Sequence, residues 1–132
     1  MIRRLVTTGL TSLWFANAAL VPQISAAQKA QTIGVSIIEP EGGTPMDWAY
    51  APNEIAVNVG TPVTWINAGV QPHTVTADDG VSFDSGNLDS QVAFSTTPES
   101  SGVFTYHCTY HPWMTATLTA GADRRSHRYT AE

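Results

Sequence analysis

Beyond residue 30 the chain consists mainly of short runs in which apolar and polar residues alternate, a period that predicts strands rather than helices. Residues 54–60 set Ile55, Val57 and Val59 against Glu54, Ala56 and Asn58, which predicts a half-buried strand. Gly60-Thr61-Pro62 reads as a turn, and residues 63–67 as a second strand with Val63, Trp65 and Asn67 on one face. Residues 33–38 form an apolar run closed by Pro40, Gly42 and Gly43. Residues 46–52 hold Trp48 and Tyr50, end in proline and predict an irregular or edge segment. His73 then opens a run in which Val75 and Ala77 share its face while Thr74 and Thr76 point away. Residues 82–86 and 89–90 read as loop, and residues 91–96 as a strand with Val92 and Phe94 inward. In residues 103–108, Phe104, Tyr106 and Cys108 lie opposite Val103, Thr105 and His107. Met114, Ala116, Leu118 and Ala120 finally alternate with Thr115, Thr117 and Thr119. No segment has the length and spacing of an amphipathic helix, so the fold class is all-β, a sandwich or barrel with Gly, Pro and Asp in its turns.

The first 27 residues break this pattern. Arg3 and Arg4 precede an apolar stretch over residues 5–21, and Ser25-Ala26-Ala27 offers small residues for cleavage, as in a signal peptide for export. An uncleaved membrane anchor is the alternative, against which Thr7, Thr8, Gly9, Thr11, Ser12 and Asn17 count. The paired arginines leave the general and the twin-arginine routes both open. The expected organisation is a signal peptide over residues 1–27, one domain over residues 28–120 and a flexible polar tail over residues 121–132.

Charge narrows the partners. Six Lys or Arg face eleven Asp or Glu, a formal net charge of −5, and no basic residue lies between Lys29 and Arg124. Nucleic-acid binding is excluded, because neutralising phosphates requires basic side chains on the folded surface. A basic protein partner and a merely solvated acidic surface both fit.

The chain has one cysteine. In an oxidising compartment a lone thiol must be buried, paired with another chain or held by a metal. Cys108 is followed at intervals of three by His111 and Met114, so a thiolate, an imidazole and a thioether fall within one turn. Hard cations need oxygen donors and structural zinc needs four strong N/S ligands, whereas this set suits copper. The second imidazole is best supplied by His73, which opens a strand-like run. Alternation puts His73, Cys108 and Met114 on the same faces as core residues. Singly, a buried thiol, a core methionine or a loop histidine would be the plainer reading; jointly, spacing and parity favour a metal site. His107 faces the other way and reads as a hydrogen-bonded strand residue.

Four stretches, Tyr50-Ala-Pro52, residues 55–67, Pro72-His73 and residues 102–108 followed by Cys-x2-His-Pro-Trp-Met, resemble a small type-1 (blue) copper protein of the cupredoxin family. The similarity is greatest to the amicyanins, with pseudoazurins and plastocyanins as relatives. It implies a Greek-key sandwich or barrel of about seven to eight strands. It also implies one type-1 copper per chain held by His73, Cys108 and His111, with Met114 as the long axial ligand. Asn67 would brace the His73 loop, and its backbone N–H would bond the Cys108 sulfur. Trp113 departs from the pattern, standing where amicyanins tend to carry phenylalanine. The implied function is one-electron transfer in the periplasm, with no turnover of its own. The implied partners are a redox donor and acceptor, such as a c-type cytochrome or a periplasmic dehydrogenase or reductase, met in brief complexes by a monomer without a membrane span. His111 would be the electron port, within an apolar patch of Val70, Pro72, Pro112 and Trp113. Copper delivery or storage is the alternative function, opposed by the enclosed thiolate and by the scarcity of methionine beyond residue 27.

Overall fold

The computed structural model describes residues 31–122. The expected export segment, residues 1–27, and all of the expected tail after Ala122 lie outside the described residues. Eight strands run in chain order: β1 (Ile33–Ile38), β2 (Ala49–Ala51), β3 (Glu54–Asn58), β4 (Val63–Asn67), β5 (Thr76–Ala77), β6 (Ala93–Thr96), β7 (Gly102–His107) and β8 (Thr115–Gly121). They form two four-stranded sheets, ordered β2-β1-β4-β6 and β3-β8-β7-β5. Both sheets are mixed, since β1 pairs in parallel with β4, and β3 with β8, while the remaining pairs are antiparallel. Sequence neighbours such as β3 and β4 lie in opposite sheets, so the architecture is the expected all-β sandwich.

Alternation places the core. Val35 and Ile37 from β1, Val63 and Trp65 from β4, and Tyr106 and Leu118 from β7 and β8 are all nearly or fully buried between the sheets. The Trp65 indole N–H donates to the Tyr106 hydroxyl at 3.1 Å, so the large aromatic body is buried without orphaning its polar tip. Truncating such a side chain costs about 3–5 kcal/mol in a well-packed core. Gly60, at φ +84°, takes the left-handed conformation that the turn between β3 and β4 requires, and its N–H reaches the Pro98 carbonyl.

Pairing direction brings the functional residues to one end of the sandwich. Because β1 and β4 run in parallel with Ile37 opposite Asn67, both strands end at the same pole. The loop after β4 therefore starts beside the residues that follow β1, and Ala68 N–H bonds the Ile37 carbonyl at 3.0 Å. The β7–β8 hairpin opens at this pole too, with His107 opposite Thr115 and Cys108 and Met114 just beyond the paired residues.

Three expectations need correction. The run from His73 to Ala77 is not one continuous strand: His73 makes an isolated bridge to Leu88, and only Thr76 and Ala77 join β5. Thr74 is consequently buried rather than turned outward, its hydroxyl accepting the Thr109 N–H at 2.8 Å. Val92 is 44% exposed, because Gln91 adopts φ 66° in a turn closed from Val92 N–H to Asp89 C=O, and β6 begins only at Ala93. At the other end, β8 extends to Gly121, which lies opposite Asn58 of β3. The segment over residues 46–52 forms a 3-10 turn (Pro45–Asp47) followed by β2, which is an edge strand as expected.

Candidate metal centre

The loop between Cys108 and Met114 is set by its own backbone. His111 N–H bonds the Cys108 carbonyl at 3.2 Å, and Met114 N–H bonds the His111 carbonyl at 2.9 Å, giving two successive turns of three-residue span. Pro112 occupies the second position of the second turn, where its fixed φ is favourable. Cys108 N–H then closes the loop onto the Met114 carbonyl at 3.1 Å. The intervals of three along the sequence are thus one residue per turn corner.

His73 arrives from the opposite sheet's loop. Asn67, fully buried at the end of β4, donates through Nδ2 to the carbonyls of Gln71 and Leu88 at 2.7 and 2.9 Å and accepts the Gly69 N–H at 3.0 Å. That side chain does brace the His73 loop. The N–H at the Cys108 sulfur, however, belongs to Thr74, at 3.3 Å; Asn67 N–H is directed instead to the Val92 carbonyl. Thr74 follows His73 directly and its hydroxyl meets Thr109, so Thr74 is the residue that joins the two loops. Tyr50 anchors it further by donating its hydroxyl to the Thr74 carbonyl at 2.5 Å.

Three of the four expected ligand side chains converge. Cys108 Sγ lies 3.8 Å from His73 Nδ1 and 3.5 Å from His111 Nδ1, and the two Nδ1 atoms are 3.2 Å apart. The centre of that triangle is about 2.0 Å from each atom, close to ordinary metal–nitrogen and metal–sulfur bond lengths of about 2.0–2.3 Å. His73 and Cys108 are fully buried, and His111 is half-buried. Met114 is 1% exposed at the end of the same loop. One thiolate and two imidazoles form a soft donor set that accommodates copper.

Electrostatics favour the thiolate. Burial pushes the Cys108 thiol up, but hydrogen bonding from His73 and from the backbone N–H groups of Thr74, Tyr110 and His111 outweighs it, lowering its pKa from 9.0 to about 6. Burial works against a charged His73 ring, yet its hydrogen bonds to Cys108 and Glu39 raise its pKa.

Two contributors were not legible as site residues. Glu39 Oε1 accepts from His73 Nε2 at 3.0 Å. The only available hint was the lack of Lys or Arg between residues 29 and 124, which leaves an inward carboxylate to be satisfied by N–H groups, hydroxyls or histidines. Trp48 packs edge-on against His73 and His111, with ring centroids 5.6 and 4.9 Å apart. Its placement depends on the Pro45–Asp47 turn, where the Asp47 carboxylate accepts from the Thr44 N–H and hydroxyl, and on Trp113, whose indole N–H donates to the Pro45 carbonyl at 2.8 Å. His107, on the outer face, bonds Asp78 Oδ1 at 2.5 Å, which agrees with its reading as a strand residue apart from the centre.

The chain is similar to known proteins. Residues 40–121 match the copper binding proteins of the plastocyanin/azurin family. Amicyanin of Paracoccus denitrificans is 38% identical over 69 residues, 49% of this chain and 53% of that protein. Amicyanin of Paracoccus versutus is 30% identical over 69 residues, 49% of this chain and 52% of that protein. The chain thus spans about half the length of the curated relatives it matches. Among solved structures, a purple cupredoxin from Nitrosopumilus maritimus superposes with a TM-score of 0.60 at 28% identity, covering 67% of this chain and 99% of that one. A reduced amicyanin mutant does so with a TM-score of 0.57 at 31% identity, covering 68% and 82%. With the family match over most of the described residues and the Cys/His centre formed at the pole of the sandwich, the chain belongs to the plastocyanin/azurin family of copper binding proteins.

Proposed function

We propose that the protein is a one-electron carrier whose copper is held by His73, Cys108 and His111, with Met114 as a weak fourth ligand. The observation that carries this reading is the convergence of one sulfur and two Nδ1 atoms within 4.8 Å of one another in a largely buried pocket. Copper in such a set alternates between Cu(II) and Cu(I), supplying the redox chemistry that the side chains lack. The chain's own part is to hold the donors still. Asn67, Thr74 and the backbone turns fix the ligand positions in the folded chain, so little rearrangement need accompany a change of charge. Trp48 and Trp113 both pack against His111, with ring centroids 4.9 and 5.3 Å away.

His111 is the proposed electron port. Apolar residues exposed near it in the loops support a docking surface: Val70 is 76% exposed and Trp113 40%, with Pro72 and Pro112 also exposed. A patch of this kind suits brief contacts of small area. The proposed partners are a redox donor and acceptor, of the c-type cytochrome or dehydrogenase kind, met by a monomer in the periplasm. Export rests on the reading of residues 1–27; among the described residues no helix is long and apolar enough to cross a membrane.

The test is redox cycling of the copper-loaded protein. The oxidised form is expected to show an intense visible thiolate-to-Cu(II) band that bleaches with one electron per chain and returns on reoxidation. A colourless protein carrying stoichiometric copper would overturn the carrier reading and favour copper delivery or storage.

A further inference from the structure

Glu39 lies two residues beyond Ile37, where the parallel β1–β4 pairing delivers it to the loop that carries His73. One of its oxygens, Oε1, accepts three N–H groups: Gln71 at 2.8 Å, Val70 at 3.1 Å and His73 Nε2 at 3.0 Å. The Glu39 side chain is 10% exposed and the His73 side chain 0%. A Cβ at position 69 would meet the Glu39 carboxylate as it is placed, and Gly69 leaves that space to it.

We propose that Glu39 is a positioning residue for His73, and that its charge, carried through the imidazole, favours Cu(II) over Cu(I). The inference rests on the copper reading above. A carboxylate accepts and does not donate, so the bond places a proton on Nε2 and leaves Nδ1, the nitrogen facing Cys108 and His111, as the one able to give its lone pair to copper. The same bond fixes the plane of the ring. No Lys or Arg occurs from residue 30 to residue 123, so among the described residues no such cation neutralises the carboxylate. An uncompensated negative charge in a poorly solvated place stabilises the more positive of two metal states.

Glu39→Gln isolates the charge. The amide oxygen can still accept the three N–H groups, so the loop is expected to keep its geometry and the visible band its intensity, while the Cu(II)-to-Cu(I) preference falls. A tenfold change in that preference raises the one-electron reduction potential by about 59 mV, the size of effect expected. Glu39→Leu removes the acceptor as well, leaving the Val70, Gln71 and His73 donors without it. Copper affinity is then expected to fall by about 10–100-fold and the copper electron-spin spectrum to change shape. An unchanged potential in Glu39→Gln with the band retained would overturn the charge role, whether or not Glu39→Leu folds. Unchanged affinity and electron-spin spectrum in a folded Glu39→Leu would overturn the positioning role. Absence of the thiolate band in the unsubstituted protein is a different failure, because it removes the copper reading itself and this inference with it.

Discussion

The loop leading to His73 is locked from several sides, whereas the loop from Cys108 to Met114 is held mainly by its own backbone and flanked by two indoles. Asn67 satisfies one carbonyl and one N–H of the first loop and ties it to the Leu88 carbonyl, Ser90 donates to the Gly69 carbonyl at 2.6 Å, and Glu39 accepts from three further groups. The second loop has two turn bonds and a closing bond, with Trp48 and Trp113 beside its half-buried histidine. The difference separates two tasks that one pair of imidazoles must share. His73 sits where nothing from outside can touch it and is fixed in tautomer and plane; His111 reaches towards the surface, where a partner would meet it.

Substitutions can break this division at different points. Cys108→Ser has the largest expected effect, since it removes the only thiolate: the visible band should vanish and copper affinity should fall by at least about a hundredfold in a competition titration. Asn67→Ala should destabilise the fold by about 2–3 kcal/mol in denaturant unfolding, because the buried Gly69 N–H loses its acceptor and the loop its brace. Val70→Ser, at a site 76% exposed, should change stability by less than about 0.5 kcal/mol and leave the visible spectrum intact while slowing electron exchange with a partner protein. If Val70→Ser weakened the fold as much as Asn67→Ala, the contrast between buried bracing side chains and exposed docking ones would be wrong.

A further prediction concerns pH in the metal-free chain. With its pKa lowered to about 6, Cys108 should titrate there rather than near 9, as followed by thiolate ultraviolet absorbance. The depressed value means that the thiolate's stabilising contribution is complete above about pH 9 and disappears as pH falls through about 6. Titration near 9 would show that the N–H groups aimed at the sulfur do not stabilise it.

Much of the frame was legible because a period of two needs only neighbours. Ile55 and Val57, Val63 and Trp65, Tyr106 and Cys108, and Ala116 and Leu118 are buried as their alternation requires. The rule failed at Thr74 and Val92 because the chain leaves regular strand geometry there, at an isolated bridge and at the left-handed Gln91. Cys108, His111 and Met114 were legible together because two local turns set their spacing. Glu39 was not legible, since its partner His73 lies 34 residues away and only the parallel pairing of β1 and β4 brings them together. Trp48 was hidden for a similar reason: its contacts with both imidazoles depend on a loop that Trp113 clasps from across the sandwich.

The most direct measurement is X-ray absorption at the copper edge of the oxidised, copper-loaded protein, repeated on His73→Ala and His111→Ala. We expect a short shell of two nitrogens and one sulfur at about 2.0–2.3 Å, with one nitrogen lost in each variant while the sulfur stays. A shell without sulfur, or one unaltered by either substitution, would contradict a copper centre built from His73, Cys108 and His111.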